Sequence, residues 1–226
     1  MYCLWCQEEI VPEVTWTTIF KIQGDQKDFC EQCKSKLPFI QSPTCPKCCR
    51  PSPQEQICPD CLRWEKHPLA NTLHQNISIF TYSLFMKEVM SKWKYRGDYE
   101  IIYAFKKEMK QKLHQAFQHK ELTIVPIPLS KARYKERGFN QAEAIANFME
   151  KPIVHALERI HNEKQAKKSR RERLQSENPF RVVKDVFGHV VIIDDLYTTG
   201  ATLHWAASLL KQHGAAQVDS FTLIRS

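Results

Sequence analysis

The sequence predicts an α/β domain, a parallel sheet flanked by helices, joined to a small N-terminal module held by two metal ions. Three observations carry that prediction. All nine cysteines lie between Cys3 and Cys61, and eight of them form CxxC pairs. Through the rest of the chain, apolar runs of strand length alternate with segments of helical period. Near the C-terminus, four successive β-branched residues, Val190 to Ile193, lead into Asp194-Asp195 and a threonine-rich turn.

The cysteine pairs are Cys3/Cys6, Cys30/Cys33, Cys45/Cys48 and Cys58/Cys61. A CxxC turn offers two thiolates to one ion, and two such turns supply the four sulfurs of a tetrahedral zinc site. Pairing neighbouring turns closes the shorter loops and costs less chain entropy. It gives one site from Cys3, Cys6, Cys30 and Cys33 and a second from Cys45, Cys48, Cys58 and Cys61. A cross-braced pairing is the alternative. Pro46 and Pro59 suit tight turns between ligands, and Cys49 reads as a free thiol. No secretory signal precedes the cysteines, so the expected compartment is the reducing cytoplasm, where thiols bind metal more often than they form disulfides.

Charge divides the chain in the same place. Residues 1–70 hold 8 Lys/Arg against 9 Asp/Glu, and residues 71–226 hold 25 against 16. Each zinc with four thiolates adds two formal negative charges to the first part, so that part reads as a structural or docking module rather than a phosphate binder. The net +9 of the second part is densest from Arg159 to Arg173, a polar stretch including Lys164, Lys167, Lys168, Arg170 and Arg171. It reads as an exposed loop or frayed helix, either a solvated face or an anion contact. No apolar run is long enough for a membrane span. With 6 glycines and neither GxxxxGK[ST] nor GxGxxG, the common glycine-rich nucleotide loops are excluded.

The elements follow in order. Ile77–Tyr82 alternates as a strand, and Phe85–Tyr95 and Tyr99–Phe117 have helical spacing. Leu122–Ile127 is a short strand halted by Pro126 and Pro128. Gln141–Met149 is helical, and Val182-Val183 and Val190–Ile193 are strand-like. Ala201–His213 forms a helix closed by Gly214, and Val218–Ile224 is the last strand. Trp93, Tyr95, Tyr103 and Phe105 alternate with lysines, a pattern of core residues with a charged outer face or of stacking platforms for bases.

The C-terminal motif carries the chemistry. A run of β-branched residues makes a strand buried on both faces, and ligands bind beyond the carboxyl ends of such strands. Thr198, Thr199, Gly200, Ala201 and Thr202 then enter a helix. Hydroxyls and successive backbone N–H groups at a helix start cradle a phosphate dianion, and glycine admits close approach. Asp194 and Asp195 would repel that phosphate, so they suit sugar hydroxyls, with Mg²⁺ tempering their charge. The parts describe a ribose 5-phosphate cradle.

This segment resembles the signature by which type I phosphoribosyltransferases bind 5-phosphoribosyl 1-diphosphate (PRPP). The wider pattern is Lys94-Tyr95-Arg96-Gly97-Asp98, Val125 to Ser130, Arg137 to Ala142, Gln165 with Arg173, and Asn178-Pro179-Phe180. Together with the four CxxC pairs it is similar to the ComF/GntX family across nearly the whole chain. The resemblance implies a double zinc ribbon (1–70) on a type I phosphoribosyltransferase fold (71–226), with Asp194 and Asp195 catalytic if turnover occurs. It implies a pyrophosphate loop from Leu129 to Arg133, with Ser130, Lys131 and Arg133 as anion contacts and Arg137 assisting. It places a flap through Lys167, Lys168, Arg170, Arg171 and Arg173, able to meet the leaving group or nucleic acid. It further implies natural transformation, with imported single-stranded DNA, a DNA-translocation helicase or recombination proteins as partners.

Three functions stay open on the sequence. One is a PRPP-binding competence factor acting on DNA. Another is a salvage-type transferase, for which no acceptor segment is recognisable. The third is a regulator that senses PRPP.

Overall fold

The computed structural model describes residues 1–11, 28–95, 97–117, 121–160 and 178–226. The chain opens with the cysteine-rich part, where two short helices start at metal-ligand positions. Cys30 is the N-cap of α1 (Glu31–Lys34) and Cys58 the N-cap of α2 (Pro59–Glu65). Pro59 is therefore the first helical residue, where its missing N–H costs nothing, rather than simply a turn former.

The first sheet strand, β1 (Asn76–Thr81), is followed by α3 (Leu84–Tyr95), a 3₁₀ helix (Tyr99–Phe105) and α4 (Lys106–Phe117). The helix expected over Tyr99–Phe117 is thus two pieces. The tighter turns of the first bury Ile101, Ile102, Ala104 and Phe105 together, more apolar surface than one α-helical stripe would carry inward. Next come β2 (Thr123–Pro126), α5 (Lys131–Arg137) and α6 (Gln141–Ala146). Here α6 stops short of the expected Met149. Gly138, at φ 78°, caps α5, and the Asn140 side chain accepts from Ala142 N to start α6.

Two strands, β3 (Leu157–Arg159) and β4 (Phe180–Val182), pair antiparallel in a separate small sheet. β3 corrects the reading of Arg159 as the start of an exposed loop, and β4 ends before Val183. The long strand β5 (Gly188–Tyr197), α7 (Ala201–Gln212) and β6 (Ala215–Arg225) complete the chain.

The main sheet is parallel throughout, in the order β1-β6-β5-β2. Val190, Val191, Ile192 and Ile193 are fully buried, as a strand covered on both faces requires. β5 runs on beyond its neighbour: Pro126, the last residue of β2, pairs with Ile193. Ile127 N still donates to Ile193 O, but Pro128 has no N–H to extend the ladder. Asp194 and Asp195 therefore lie within β5 past the end of β2 on one side, while β6 still pairs along the other.

The cysteine-rich part covers the other edge of the sheet. Ile40 N donates to Ile79 O, Thr81 N to Pro38 O and Asn76 N to Lys47 O, so β1 presents no open ladder. Phe29 packs edge-on against Phe105, and Phe39 packs against Phe80 with the rings tilted at 53°. The buried cysteines and the strand residues belong to one continuous core. Among the described residues, no helix is long and apolar enough to cross a membrane.

Candidate phosphate cradle and its metal-site floor

The eight paired cysteines gather in sequential order. The sulfurs of Cys3, Cys6, Cys30 and Cys33 lie within 4.8 Å of one another, and so do those of Cys45, Cys48, Cys58 and Cys61. Sulfur separations of 3.7 Å (Cys6–Cys30), 3.8 Å (Cys45–Cys61) and 3.6 Å (Cys48–Cys58) match the ~3.8 Å edge of a tetrahedron with Zn–S near 2.3 Å. Backbone N–H groups of Trp5 and Cys30 point at the Cys3 sulfur, and that of Cys58 at the Cys45 sulfur, as suits thiolates. The donor set fits two structural zinc ions. Cys49 takes a left-handed backbone (φ 56°) and stays outside both groups.

The sites differ in depth. All four sulfur residues of the inner group are buried, whereas Cys6 of the outer group is exposed and Cys30 half-buried.

The acid pair sits beside a ring of cations that only the fold assembles. Asp195 forms an ion pair with Lys94, from the last turn of α3, and the Asp194 carboxylate accepts from Asp195 N at 2.8 Å. Burial pushes the Asp194 carboxyl up to about 6, against the pull of Lys94, Arg159, Arg137 and Arg133. Burial, followed by repulsion from Arg137 and Arg133, brings the Lys94 ammonium down to about 8, with Asp194 opposing the fall. Positive charge thus crowds two carboxylates, an arrangement suited to a ligand with both hydroxyls and phosphates.

The expected pyrophosphate contacts fare unequally. Ser130 is buried, and its Oγ caps α5 by accepting from Arg133 N. Arg133 stands within electrostatic reach of Asp194, while Lys131 is exposed on the first turn of α5. Arg137 donates to Gln141 Oε1 at 2.8 Å and stacks over Tyr95. Phe139 packs on Trp93 and Tyr99, and Asn140 Nδ2 donates to Ile127 O, which gives both residues structural roles. Trp93 and Phe105 are core residues, Tyr103 packs on Phe148, and Tyr95 is exposed. Arg96, Gln165 and the flap residues Lys167, Lys168, Arg170, Arg171 and Arg173 lie outside the described residues.

The phosphate turn itself is tightly built. Gly200 has φ 82° and starts α7, and a Cβ there would sit 2.3 Å from the Tyr197 hydroxyl. Thr199 Oγ1 accepts from Ala201 N, while Thr198 and Thr202 are half-buried. Beneath the turn, Trp64 Nε1 donates to Thr199 O at 2.7 Å. Its indole stacks on His204 of α7 at 3.8 Å, and burial lowers the His204 imidazole to about 3, so the stacked ring is neutral. Arg225 is buried and bonds Cys48 O, Tyr197 O and Thr198 O.

Sequence reasoning gave no role to Trp64 or Arg225 at this site, named Arg159 only as the start of a basic stretch, and named Lys94 only within a motif. For Lys94 the Lys-Tyr-Arg-Gly-Asp motif was the available signal. For Arg159 it was the basic run that begins there, while Trp64 and Arg225 lie in segments with no local signature.

Comparison with known proteins agrees with this fold. The phosphoribosyl transferase domain model matches residues 98–226, and the double zinc ribbon model residues 2–62. The chain is 45% identical to competence protein ComFC of Bacillus subtilis over 100% of this chain and 95% of that protein. It is 33% identical to competence protein ComFC of Streptococcus pneumoniae, with 100% of each covered. The DNA utilization protein YhgH of Salmonella typhimurium is 27% identical, over 96% of this chain and 98% of that protein.

Proposed function

The chain belongs to the ComFC family, in which a double zinc ribbon precedes a phosphoribosyltransferase domain, and on that premise we propose that it is a PRPP-binding protein of DNA uptake, acting in the cytoplasm on or with incoming single-stranded DNA. The observation that carries the PRPP reading is the juxtaposition of Asp194-Asp195, the Thr198–Thr202 turn and the cations Lys94, Arg133, Arg137 and Arg159. The carboxylates suit the ribose hydroxyls and the turn the 5-phosphate, and the cations suit the pyrophosphate. Mg²⁺, when bound with the pyrophosphate near the acid pair, supplies neutralisation of its charge. Two structural zinc ions in the ribbon, and the working division into residues 1–70 and 71–226, belong to the same reading.

If a group is transferred, the C1–O bond to pyrophosphate breaks while an acceptor atom bonds to C1. This chain's part is then to orient the sugar and to stabilise charge on the leaving group. The DNA side of the reading rests on the net +9 of residues 71–226 and on the similarity to proteins named for competence and DNA utilization.

Calorimetry with PRPP and millimolar Mg²⁺ is the deciding experiment. Binding is expected, and Gly200→Ala should weaken it at least about tenfold, because the new Cβ collides with Tyr197 and the backbone is left-handed. Absence of heat with the wild type overturns the PRPP reading. Anisotropy with a labelled single strand should fall steeply with salt and weaken on neutralising Lys167, Lys168, Arg170 and Arg171. Salt-independent or absent binding overturns the DNA reading. Pyrophosphate release with an added base or amine, abolished by Asp195→Ala, would instead make the protein a salvage-type transferase. PRPP that changes DNA affinity without being consumed would make it a sensor.

A further inference from the structure

The phosphate turn is held from the side of the inner four-sulfur site by two side chains. Arg225 Nη1 donates to Tyr197 O at 3.3 Å, an oxygen that also accepts from Ser226 N at 2.9 Å beside the β5–β6 ladder, and to Thr198 O at 3.1 Å, and Trp64 Nε1 donates to Thr199 O at 2.7 Å. These are three successive peptide units. In a trans peptide the C=O and N–H point in opposite directions. Drawing the carbonyls of Tyr197, Thr198 and Thr199 toward the metal side therefore turns the N–H groups of Thr198, Thr199 and Gly200 to the opposite face. Successive N–H groups sharing one face form an anion-binding concavity.

Both side chains are anchored in the inner site. Arg225 Nε donates to Cys48 O at 3.1 Å, Nη2 lies 3.5 Å from Cys48 Sγ, and the guanidinium stacks 4.7 Å over the Tyr197 ring. Trp64 lies on α2, three residues after Cys61 and six after Cys58. Each ligand-bearing segment of the inner site thus reaches the turn through one side chain. A metal that fixes the two segments against each other also fixes the two struts. The described contacts of the outer site run elsewhere: Lys92 donates to Leu4 O, Trp5 packs on Phe85 and Phe29 on Phe105.

We propose that Arg225 and Trp64 are positioning residues that carry the metal-fixed geometry of Cys45, Cys48, Cys58 and Cys61 to the phosphate turn, so that PRPP affinity depends on metal in the inner site and not in the outer one. The inference rests on the PRPP reading above. By linkage, PRPP must tighten zinc in the inner site by the same factor that inner zinc tightens PRPP.

The test uses the full-length, zinc-loaded protein. Trp64→Phe keeps an aromatic ring beside His204 but removes the N–H together with the rest of the pyrrole ring, and Arg225→Lys keeps the charge but not the fork. Each should retain two zinc ions by metal analysis and lose about 5- to 50-fold in calorimetric affinity for PRPP with Mg²⁺. In the wild type, equilibrium competition with a chromophoric chelator should show saturating PRPP protecting one zinc of two. A Cys6→Ser protein, deprived of the outer zinc, should show the same protection. Should wild type and both fully metallated variants bind PRPP within twofold of one another, or should PRPP protect neither zinc, the inference is overturned while the PRPP reading stands. Should the wild type give no heat at all, that reading falls instead. Hydrogen exchange of the zinc-loaded variants then decides the strut: losing either side chain's bond must deprotect the amides of Ala201 and His204, which donate to Thr199 Oγ1 and Gly200 O of the turn, and unchanged exchange overturns it.

Discussion

The two four-sulfur sites share ligand type and spacing, and they differ in what rests on them. The outer site, Cys3/Cys6/Cys30/Cys33, leaves Cys6 exposed and braces α3 and the 3₁₀ helix from outside. The inner site, Cys45/Cys48/Cys58/Cys61, is wholly buried and lies beneath the phosphate turn, joined to it by Arg225 and Trp64. The same ligand set thus stands at a peripheral brace in one place and beneath the candidate phosphate cradle in the other. A metal site's role is set by the hydrogen bonds that leave its ligands, more than by the ligands themselves.

The largest expected effect that could break this comparison is loss of each metal in turn. Structural zinc contributes about 10 kcal/mol or more to the folding of small modules. Cys58→Ser should therefore yield protein that is largely insoluble or lacks the cooperative thermal transition. Cys6→Ser should lower the melting temperature yet leave a folded transferase domain by circular dichroism. Equal loss in the two variants would show that the sites are equivalent.

A smaller effect concerns the acid pair beside the turn. The Asp194 carboxyl holds its proton up to about 6 in the folded chain, whereas an unfolded aspartate releases it near 4. Between those values the native state binds more protons, so the contribution of Asp194 to stability is fullest below about pH 4 and is lost as pH rises through 6. The loss is at most about 3 kcal/mol. Chemical denaturation from pH 4 to 7 should show this slope in the wild type and not in Asp194→Asn. Parallel slopes would remove Asp194 as the group that stores this cost.

The smallest effect belongs to the outer brace. Lys92 ties Leu4 O, the Trp5 ring and Asp98 together at the half-exposed edge of α3. Lys92→Ala should cost about 1 kcal/mol of stability and leave PRPP affinity within twofold. A large drop in affinity would mean that the outer site also reaches the cradle.

Much of this molecule was legible before folding was considered. The CxxC spacing identified the eight ligands and favoured their sequential pairing over a cross-braced one, because shorter loops cost less entropy to close, and the folded chain decided between the two. The run of β-branched residues followed by Asp194-Asp195 marked a central strand and the carboxyl end of its sheet. Other features were not visible locally. The strand Leu157–Arg159 is too short for a periodic signal, and its pairing with Phe180–Val182 spans the residues between them. The 3₁₀ turn at Tyr99–Phe105 shows tertiary burial overriding a continuous helical pattern.

The amino-acid order by itself determined the chemical inventory: eight thiols in four turns, a carboxylate pair, and a threonine turn with glycine where φ must be positive. Those properties depend on neighbours within a few residues. Which sulfur site would lie under the turn, and which cations would ring the acids, depended on contacts across long separations, such as Arg225 to Cys48 and Trp64 to Thr199. Such contacts arise when the sheet buries its strands in the order β1-β6-β5-β2 and brings distant segments to one end. Local spacing can set the geometry of a ligand turn, but packing of the whole core decides what that turn stands next to.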